Sequence, residues 1–347
     1  MAVLARSAYP VDTPGPRVRV VEMIAPLRAE SVDMRFEPTL SNEQYRVLSS
    51  EAPRSAKVAV LLKAARRARR GRVHDGLVLI HRLLFLARMP GVDPPAHLDV
   101  YDFDDALFLG SISAQNRGGA MLKQEARRWA AYVARARLVT AGNSYLADEA
   151  LKVRSHRVEV LPTCVEPSKF TAVHHEEREV VTVGWVGSRT TAPYLHPVLD
   201  AVARLHESGR KIKLLLIGAS DLGSHPWLEQ RRWSLDSEVD DLAGIDIGVM
   251  PMPDTRWARG KCGYKLLQYF AAGVPAIVSP VGVATQMVGD GRGLLARSEV
   301  DWERAILQLA GDPNARQEMA AASRVYVEKN FSYARWAPEL AGMLKEL

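Results

Sequence analysis

The stretch that decides the fold of this chain lies in its second half, where residues 256–275 read RWARGKCGYKLLQYFAAGVP. A helix is predicted from about Gly263 to Ala272, because Gly273 is a typical residue just past a helix end and Pro275 cannot continue it. Cations and two glycines lie immediately before this helix and in its first turns. A helix N-terminus offers free N–H groups and about half a positive charge, so this arrangement suits a diphosphate. A surface turn with solvated basic residues is the competing interpretation, and the residues alone leave both open.

The surrounding sequence alternates between short apolar runs and helical patterns. Strands are predicted over 180–186, 212–217, 246–250 and 276–279, with helices over 195–208, 300–329 and 333–347. The first half repeats this pattern with strands over 2–5, 77–80, 98–101, 137–140 and 158–161, and helices over 18–30, 56–70, 119–136 and 144–152. Strands that are apolar throughout and separated by helices indicate parallel sheets covered on both faces. The second half therefore reads as a doubly wound α/β domain of the nucleotide-binding type, and the first half shows the same style less cleanly.

Length and charge divide the chain in a similar way. A single core stops growing at roughly 250 to 300 residues, so 347 residues suggest two domains. Residues 1–170 hold 26 basic and 18 acidic residues, a net charge of +8, and the remainder holds 20 and 22, a net charge of −2. The positive excess of the whole chain, +6, therefore lies in the first half. The composition, 47% hydrophobic and 25% charged, excludes a mainly disordered chain.

Cysteine content and the N-terminus point to a cytoplasmic setting. The two cysteines, Cys164 and Cys262, can form neither a disulfide framework nor a four-ligand zinc site. Arg6 and Pro10 leave no room for the apolar core of a signal peptide, and no apolar run is long enough for a membrane span. We therefore expect a cytoplasmic protein.

The helix motif and its surroundings resemble a known enzyme family. Residues 263–279, which read GYKLLQYFAAGVPAIVS, together with Gly282, look like the signature of group 1 glycosyltransferases, family 4. Residues 184–188 (GWVGS), 246–251 (DIGVMP) and 161–165 (LPTCV) are supporting matches. The resemblance implies the GT-B fold, in which two Rossmann-like, doubly wound domains face each other across a cleft. It also implies a retaining transferase that moves a sugar from a nucleotide-diphosphate sugar without a metal ion or other cofactor.

The resemblance gives a domain plan. Residues 1–165 are expected to form an acceptor-binding domain and residues 179–330 the nucleotide-sugar-binding domain. Residues 166–178 are polar, lack periodicity and are interpreted as the linker. The last helix, 331–347, is expected to pack back on the N-terminal domain.

The donor site is assigned to the second domain. Lys261 is expected to stabilise the departing diphosphate, together with Arg256 or Arg189. The family commonly has two glutamates eight residues apart, and this chain has Gly260 and Gln268 in those places. Gln268 can still hydrogen-bond a ribose hydroxyl, because an amide has both a donor and an acceptor, but Gly260 cannot replace a carboxylate. Trp233 and Glu238 are candidates to contact the nucleotide base, since tryptophan stacks on planar rings. The remaining residues predicted to bind substrate here are Gly187, Ser188, Gly218, Cys262, Gly263 and Tyr264.

Three carboxylates, Asp102, Asp104 and Asp105, lie at the end of a predicted strand in the first domain. Ligands bind at the carboxyl ends of parallel strands, so Asp104 or Asp105 is expected to face the cleft. The resemblance implies that Asp104 takes the place of a catalytic-site histidine of the family, where it would position the acceptor hydroxyl or stabilise positive charge on the sugar. If the strand continues to Asp104, that residue and Asp102 share one face and Asp105 points to the other. Two alternatives stay open: a DxD metal site formed by 102–104, and capping of the next helix by Asp104 and Asp105.

Two other regions of the first domain are candidates for binding the acceptor. Gly15 and Arg17 lie in a turn after the first strand, which faces the cleft in GT-B proteins, although a solvated turn is as consistent with the residues. His81 and Arg82 also follow a strand and could enter the cleft, although a histidine in such a place is often structural.

A basic segment from Arg54 to Arg72 holds eight cations and no acidic residue. Val58, Leu61, Leu62 and Ala65 form an apolar stripe at helical spacing, which suits an interfacial helix on anionic lipid or on a phosphorylated acceptor. No nucleic-acid-binding motif accompanies the charge, so nucleic acid is not an expected partner. A solvated amphipathic helix packed on the domain is the other interpretation.

Two further functional classes remain open at this point. A GT-B-like nucleotide-sugar epimerase would use the same donor pocket without an acceptor. A non-catalytic protein that binds nucleotide sugars is suggested by the missing glutamate at Gly260. The sequence identifies neither the sugar, the base nor the acceptor.

Overall fold

The computed structural model describes residues 1–70, 75–89, 92–110, 124–153, 157–219 and 222–347. The chain divides into two compact units. Unit 1 comprises Met1–Thr163, Gly260–Cys262 and Tyr333–Leu347, and unit 2 comprises Cys164–Arg259 and Gly263–Ser332. The predicted start of the helix over 119–136 and residue Arg72 of the basic segment lie outside the described residues.

Unit 1 is built on one six-stranded parallel sheet. Its strands are β1 (Ala2–Ser7), β2 (Asp33–Pro38), β3 (Leu77–His81), β4 (Val100–Phe103), β5 (Leu138–Ala141) and β6 (Val158–Val160). Its helices are α1 (Ile24–Ala29), α2 (Asn42–Ser49), α3 (Arg54–Arg70), α4 (Glu125–Arg135), α5 (Ser144–Leu151) and the C-terminal helix, Tyr333–Lys345. The strands are arranged in the order β2-β1-β3-β4-β5-β6, with every pair parallel.

The core of unit 1 lies on both faces of this sheet. Strands β4 and β5 are buried throughout, as is β1 apart from its first residue, as expected for parallel strands covered by helices. The rings of Tyr101 in β4 and Tyr132 in α4 stack with centroids 4.9 Å apart. The C-terminal helix is tied to the turn after β1 by Tyr333, whose hydroxyl donates to the Val18 carbonyl at 2.9 Å.

Unit 2 has a second six-stranded parallel sheet. Its strands are β7 (Val181–Val186), β8 (Ile212–Ile217), β9 (Leu228–Arg231), β10 (Ile247–Met250), β11 (Ala276–Val278) and β12 (Gly293–Leu295). Its helices are α6 (His196–Glu207), α7 (Glu238–Ala243), α8 (Arg256–Arg259), α9 (Tyr264–Ala271), α10 (Val283–Met287), α11 (Glu299–Gly311) and α12 (Pro313–Asn330); the C-terminal helix of unit 1 is then α13. The order is β12-β11-β10-β7-β8-β9.

Strand order fixes where a ligand can bind in each unit. In unit 1 the chain moves from β1 to β2 on one side and then to β3 on the other, so the order reverses between β1 and β3. In unit 2 it reverses between β7 and β10. Crevices form beyond the carboxyl ends of the strands at such switch points, because successive connections leave on opposite faces.

Most predicted elements are confirmed, with corrections to three strands and two helical regions. Strands β2, β9 and β12 were not predicted; each lies at a sheet edge or is only three residues long, and β2 and β9 carry charged residues. The predicted helix over 18–30 is divided into a π-helical turn, Arg17–Val21, and α1. The helical region 300–329 is two helices, because Asp312 caps α12 by accepting from the Ala315 N–H at 2.9 Å and Pro313 takes its first position.

The predicted linker, residues 166–178, is part of unit 2. Phe170 and Val173 are buried, and His175 Nε2 lies 2.8 Å from the Gly273 carbonyl. Among the described helices, none has the length and apolar character needed to cross a bilayer.

Candidate functional site

The switch point of unit 2 brings a lysine to the glycine-rich loop after β7. Lys265 lies in the first turn of α9, and its Nζ is 3.3 Å from Thr191 Oγ1. The same ammonium lies 4.5 Å from the centroid of the Trp185 ring, a cation–π contact at the end of β7. Gly187 leaves room for it, since a Cβ there would lie 2.7 Å from Lys265 Nζ. A cation and a helix N-terminus therefore meet at the place where this sheet topology binds ligands.

The predicted donor-site residues of unit 2 are not all at this point. Ser188 and Arg189 are exposed in the loop after β7, and Gly218 directly follows β8 beside it. Gly263 and Tyr264 begin α9. Arg256, by contrast, is an exposed residue of the preceding short helix α8.

Gln268 lies one turn further along α9. It is buried, and within the described part of the chain its side-chain Nε2 has no hydrogen-bond partner. An unsatisfied buried amide is costly, so a ligand hydroxyl that accepts from it would be stabilised.

Trp233 and Glu238 are also brought together in unit 2. The Trp233 indole N–H donates to Glu238 Oε1 at 3.2 Å, and Glu238 is buried at the start of α7. Trp233 follows β9, and a Cβ on Gly218 would lie 3.2 Å from its Cβ. The aromatic ring predicted to frame a base is thus next to the strand ends Gly187 and Gly218.

In unit 1, Asp102 is the centre of a buried polar network. It accepts from Arg19 through both Nε, at 3.2 Å, and Nη2, from Thr140 Oγ1 at 2.7 Å and from His81 Nδ1 at 2.7 Å. Burial alone would raise the Asp102 pKa, but the charge of Arg19 and the His81 hydrogen bond outweigh it and lower the pKa to about 2. Asp102 is therefore a carboxylate at neutral pH, and His81 must donate to it through Nδ1.

Asp104 lies just beyond the end of β4 and pairs with Arg82. Arg82 Nε donates to Asp104 Oδ1 at 2.6 Å, and His81 Nε2 is 3.8 Å from the same oxygen. Burial would raise the Asp104 pKa, but the charges of Arg82 and His81 hold it well below its usual range. The side chain of Asp104 keeps 10% of its surface exposed, so the carboxylate reaches the edge of the sheet.

Asp105 pairs with Lys261, which belongs to the short segment of unit 1 contributed by residues 260–262. Lys261 Nζ donates to Asp105 Oδ1 and Oδ2 at 2.9 and 3.0 Å. The predicted catalytic residues Asp104, Asp105 and Lys261 are therefore close together, in unit 1. We call Arg19, His81, Arg82, Asp102, Asp104, Asp105 and Lys261 the edge cluster.

The structure explains why residue 260 is glycine. A Cβ at this position would lie 2.8 Å from the Ala106 Cβ and 3.2 Å from a Leu146 methyl carbon, so a glutamate would require the backbone to shift. Cys262 is held beside it, with Sγ 3.3 Å from the Asp104 carbonyl. Burial and the nearby charge of Asp104 raise the pKa of the Cys262 thiol to about 12, which keeps it protonated.

Gly15 lies against the edge cluster. A Cβ on Gly15 would lie 3.1 Å from His81 Nε2 and 3.2 Å from Arg82 Cζ. Arg17 is buried, with Nη1 3.7 Å from Glu22 Oε1.

The contacts of these carboxylates bear on the two alternative roles, helix capping and metal binding. A 3₁₀ turn, Leu107–Leu109, follows Asp105 and has Ala106 at its cap position, so neither Asp104 nor Asp105 is the cap residue of this turn. Asp105 Oδ1 accepts from the Ala106 N–H at 3.1 Å. Asp102 and Asp104 are engaged by Arg19 and Arg82 rather than grouped around a common space. In the described ranges, no three His, Cys, Asp or Glu side chains are arranged as a metal site.

Three residues of these sites were not singled out by sequence reasoning. Arg19 and Thr140 contact Asp102 from 83 and 38 residues away in the chain, and no local pattern marks such pairs. Lys265 lies inside the quoted motif, and its position in the first turn of the predicted helix was a signal that could have identified it.

The basic segment forms the helix α3, Arg54–Arg70. Ala64 and Ala68 face the core of unit 1, whereas Val58 and Leu62 are 53% and 60% exposed. Lys63, Arg66, Arg67 and Arg69 are exposed as well. The predicted apolar stripe is therefore partly on the outer face, among cations.

Comparison with known proteins agrees with this architecture. Residues 178–312 match the family model described as glycosyl transferases group 1. Among solved structures, a sucrose-phosphate synthase from Thermosynechococcus elongatus superposes with a TM-score of 0.74 at 14% identity, over 100% of this chain and 99% of that chain. Alr3699/HepE of Anabaena in complex with UDP-glucose gives 0.68 at 14% identity, over 100% of both chains. WaaG, a glycosyltransferase involved in lipopolysaccharide biosynthesis, gives 0.65 at 16% identity, over 98% of this chain and 99% of that chain.

At these identities the likeness shows the fold, which is GT-B, as expected from the sequence. No curated protein sequence matches the chain.

Proposed function

We propose that the protein is a retaining glycosyltransferase that uses a nucleotide-diphosphate sugar without a metal ion, because residues 178–312 match the family model of the group 1 glycosyltransferases. Unit 2 would bind the donor and unit 1 the acceptor. A UDP-sugar is the first donor to test, because the HepE structures of the same fold hold UDP-glucose or UDP.

The observation that carries this proposal is the position of Lys265. Its ammonium lies at the loop after β7, next to Gly187, at the switch point of the unit 2 sheet. Departure of a nucleoside diphosphate builds negative charge on its phosphate oxygens. A cation and helix N–H groups fixed in advance at that place stabilise the charge without reorganising. We therefore assign to Lys265 the phosphate contact that the sequence led us to expect of Lys261.

The edge cluster would serve the acceptor. Asp104 and Asp105 are carboxylates fixed by cations at the carboxyl edge of the unit 1 sheet, so they can accept hydrogen bonds from a hydroxyl and hold it in one orientation. In the mechanism we propose, a phosphate oxygen of the donor takes the acceptor's proton while Asp104 positions the acceptor. Lys261 then acts as the counter-ion that fixes the Asp105 carboxylate, a positioning role that differs from the diphosphate contact predicted for it.

Substitution of the two lysines separates the two assignments. We expect Lys265→Ala to weaken UDP binding and to lower turnover at least tenfold, since one charged phosphate contact is worth about 1.5 to 3 kcal/mol. Lys261→Ala should lower turnover while leaving the Kd for UDP unchanged. Lys211→Ala is the matched control, because Lys211 is an exposed lysine of unit 2 that pairs with Glu179 at the surface.

The measurements are isothermal titration with UDP and release of UDP from UDP-sugars, with and without acceptors. If Lys265→Ala binds UDP as well as the unaltered protein, Lys265 is not the phosphate contact. Conversion of a UDP-sugar to an isomer without acceptor would identify an epimerase. Binding without any turnover would support the non-catalytic class, which the steric exclusion of a glutamate at Gly260 favours.

The outer face of α3 suggests where the acceptor is presented. Exposed cations surround the exposed apolar side chains of Val58 and Leu62, a combination that suits the interface of an anionic bilayer. We propose a cytoplasmic protein that contacts the inner membrane face through α3, with an acceptor that is anionic or membrane-associated.

A further inference from the structure

Arg82 has an unusual backbone conformation at the switch point of unit 1. It directly follows β3 and has a φ of +59°, in the left-handed region that residues with a side chain rarely adopt. Its N–H donates to the Asp102 carbonyl at 2.8 Å, which holds the strained residue in place. Strain of this kind persists where the surrounding structure over-determines it, and it is frequent at binding sites. The conformation directs the side chain of Arg82 to the ligand-binding edge of the sheet.

The guanidinium group of Arg82 is fixed by two neighbours. Asp104 accepts from Nε at 2.6 Å, and Nη2 lies 3.9 Å from Asp105 Oδ2. Gly15 contributes the space, because a Cβ there would lie 3.2 Å from Cζ and 3.3 Å from Nη2. The side chain is still 23% exposed, and its contacts with Asp104 and Asp105 use Nε and Nη2, not Nη1. Burial would lower the Arg82 pKa, but Asp104 and Asp105 raise it, so the group stays a cation.

The exposed part of the edge cluster is balanced in charge. Arg82 pairs with Asp104, and Lys261 pairs with Asp105; behind them, Arg19 pairs with Asp102. The four outer side chains keep between 10% and 30% of their surface exposed. An anionic group would meet two carboxylates as well as two cations. A group with both O–H donors and oxygen acceptors would instead find a partner for each.

From this geometry we propose that Arg82 and Asp104 bind adjacent hydroxyls of an uncharged carbohydrate, and that this carbohydrate is the reacting end of the acceptor. Arg82 donates from Nη1 to one hydroxyl oxygen, and Asp104 accepts the O–H of its neighbour. The inference rests on the proposed function and narrows it: any anionic part of the acceptor lies elsewhere, and the hydroxyl site itself selects a neutral polyol. Arg82 is then the specificity-determining residue.

The test uses the full chain and matched neutral and anionic probes. Glucose, galactose and mannose are each compared with their 6-phosphates, by saturation-transfer NMR for binding and by UDP release from a UDP-sugar for transfer. We expect a neutral sugar to bind more tightly than its 6-phosphate, with an affinity that changes little between low and high salt. Arg82→Gln should raise the KM for that sugar at least tenfold, and Arg82→Lys should recover only part of the loss, since it lacks the planar fork.

Arg88→Gln is the control, because Arg88 is an exposed arginine of the same connection after β3. Thermal unfolding shows whether Arg82→Gln folds, and Arg82→Lys gives a second readout if it does not. Tighter binding of a 6-phosphate, lost in Arg82→Gln, would overturn the inference by making Arg82 an oxyanion site. Unchanged sugar binding in both Arg82 variants would overturn it as well.

Binding of UDP and its release without acceptor report on the proposed function independently. Sugar binding that depends on Arg82, in a chain that neither binds nor cleaves UDP-sugars, would refute the transferase and leave the carbohydrate site standing. Normal UDP binding and UDP-sugar cleavage, with no effect of the Arg82 substitutions on sugar binding, would refute the carbohydrate site and leave the transferase assignment in place.

Discussion

At the scale of single residues, Asp102 has the largest predicted effect on stability. It is buried, and it neutralises Arg19 while accepting from His81 and Thr140. Asp102→Asn would leave the Arg19 guanidinium buried without its counter-ion, a loss that typically costs about 3 to 5 kcal/mol. We expect a fall of that size in the free energy of unfolding, measured by urea titration. Asp148→Asn, at an exposed position in α5, should change it by less than about 0.5 kcal/mol.

The Asp102 carboxylate also predicts that the stability of the protein depends on pH. The pKa of Asp102 is about 2 in the folded protein against 3.8 as its ordinary value. A lowered pKa stabilises the fold above the unfolded-state value, and the contribution, about 2 kcal/mol, is lost as the pH falls from about 4 toward 2. The stability difference between the unaltered protein and Asp102→Asn should therefore shrink over this range. A difference that stays constant from pH 6 to pH 2.5 would contradict the role of its charge.

Sequence reasoning found the carboxylates of the edge cluster but not their partners. Asp104 and Asp105 could be predicted because they follow an apolar strand, and the ends of parallel strands are where ligands bind. Their counter-ions could not, since Lys261 reaches Asp105 across 156 positions of the chain. The steric reason for a glycine at residue 260 could not be predicted either, because the obstructing Ala106 is brought beside Gly260 only by folding.

At the scale of elements, helix α3 carries a prediction about membranes. Each basic residue near an anionic surface contributes about 1 kcal/mol, so reversing Arg66 and Arg69 to glutamate should weaken binding to phosphatidylglycerol-containing vesicles by at least roughly 30-fold. Leu62→Glu should weaken it too, because Leu62 is 60% exposed among these cations. Vesicle sedimentation at low and high salt measures both effects.

Val325→Glu is the control for this experiment, since Val325 is a 47% exposed apolar residue on α12 of unit 2. If vesicle binding is absent, or is equally weakened by Val325→Glu, then α3 is a solvated helix and not a membrane contact. Phosphatidylcholine vesicles alone should bind weakly, because they lack the anionic charge.

The elements that sequence analysis missed share a physical cause. A central strand of a parallel sheet is buried on both faces and reads as an apolar run, as β7 and β8 do. An edge strand has one free side, so it tolerates the charged residues of β2 and β9 and loses that signal. Helix boundaries depended on single residues such as Pro313, whose meaning was clear only with Asp312 as its cap.

At the scale of the whole molecule, the two-domain plan followed from the alternation of strands and helices. It could not show that unit 1 takes in residues 260–262, which interrupt unit 2 between α8 and α9. Because of this, the lysines of one motif lie in different units: Lys261 with Asp105, and Lys265 with the loop after β7. A motif read as one phosphate site thus contributes to both units.

This division predicts how a nucleotide should protect the molecule. Gly187, Lys265 and Gln268, which we assign to the donor, lie in unit 2. Saturation with UDP at a hundred times its Kd adds about 2.7 kcal/mol to the stability of the structure that binds it. We therefore expect hydrogen exchange to slow most strongly in the loop 187–191 and in α9, and Lys265→Ala to reduce this protection. Arg82→Gln, in unit 1, serves as the matched variant and should leave the protection intact. Slowing that is strongest in residues 14–19 would instead place the nucleotide in unit 1 and contradict the assignment of the donor to unit 2.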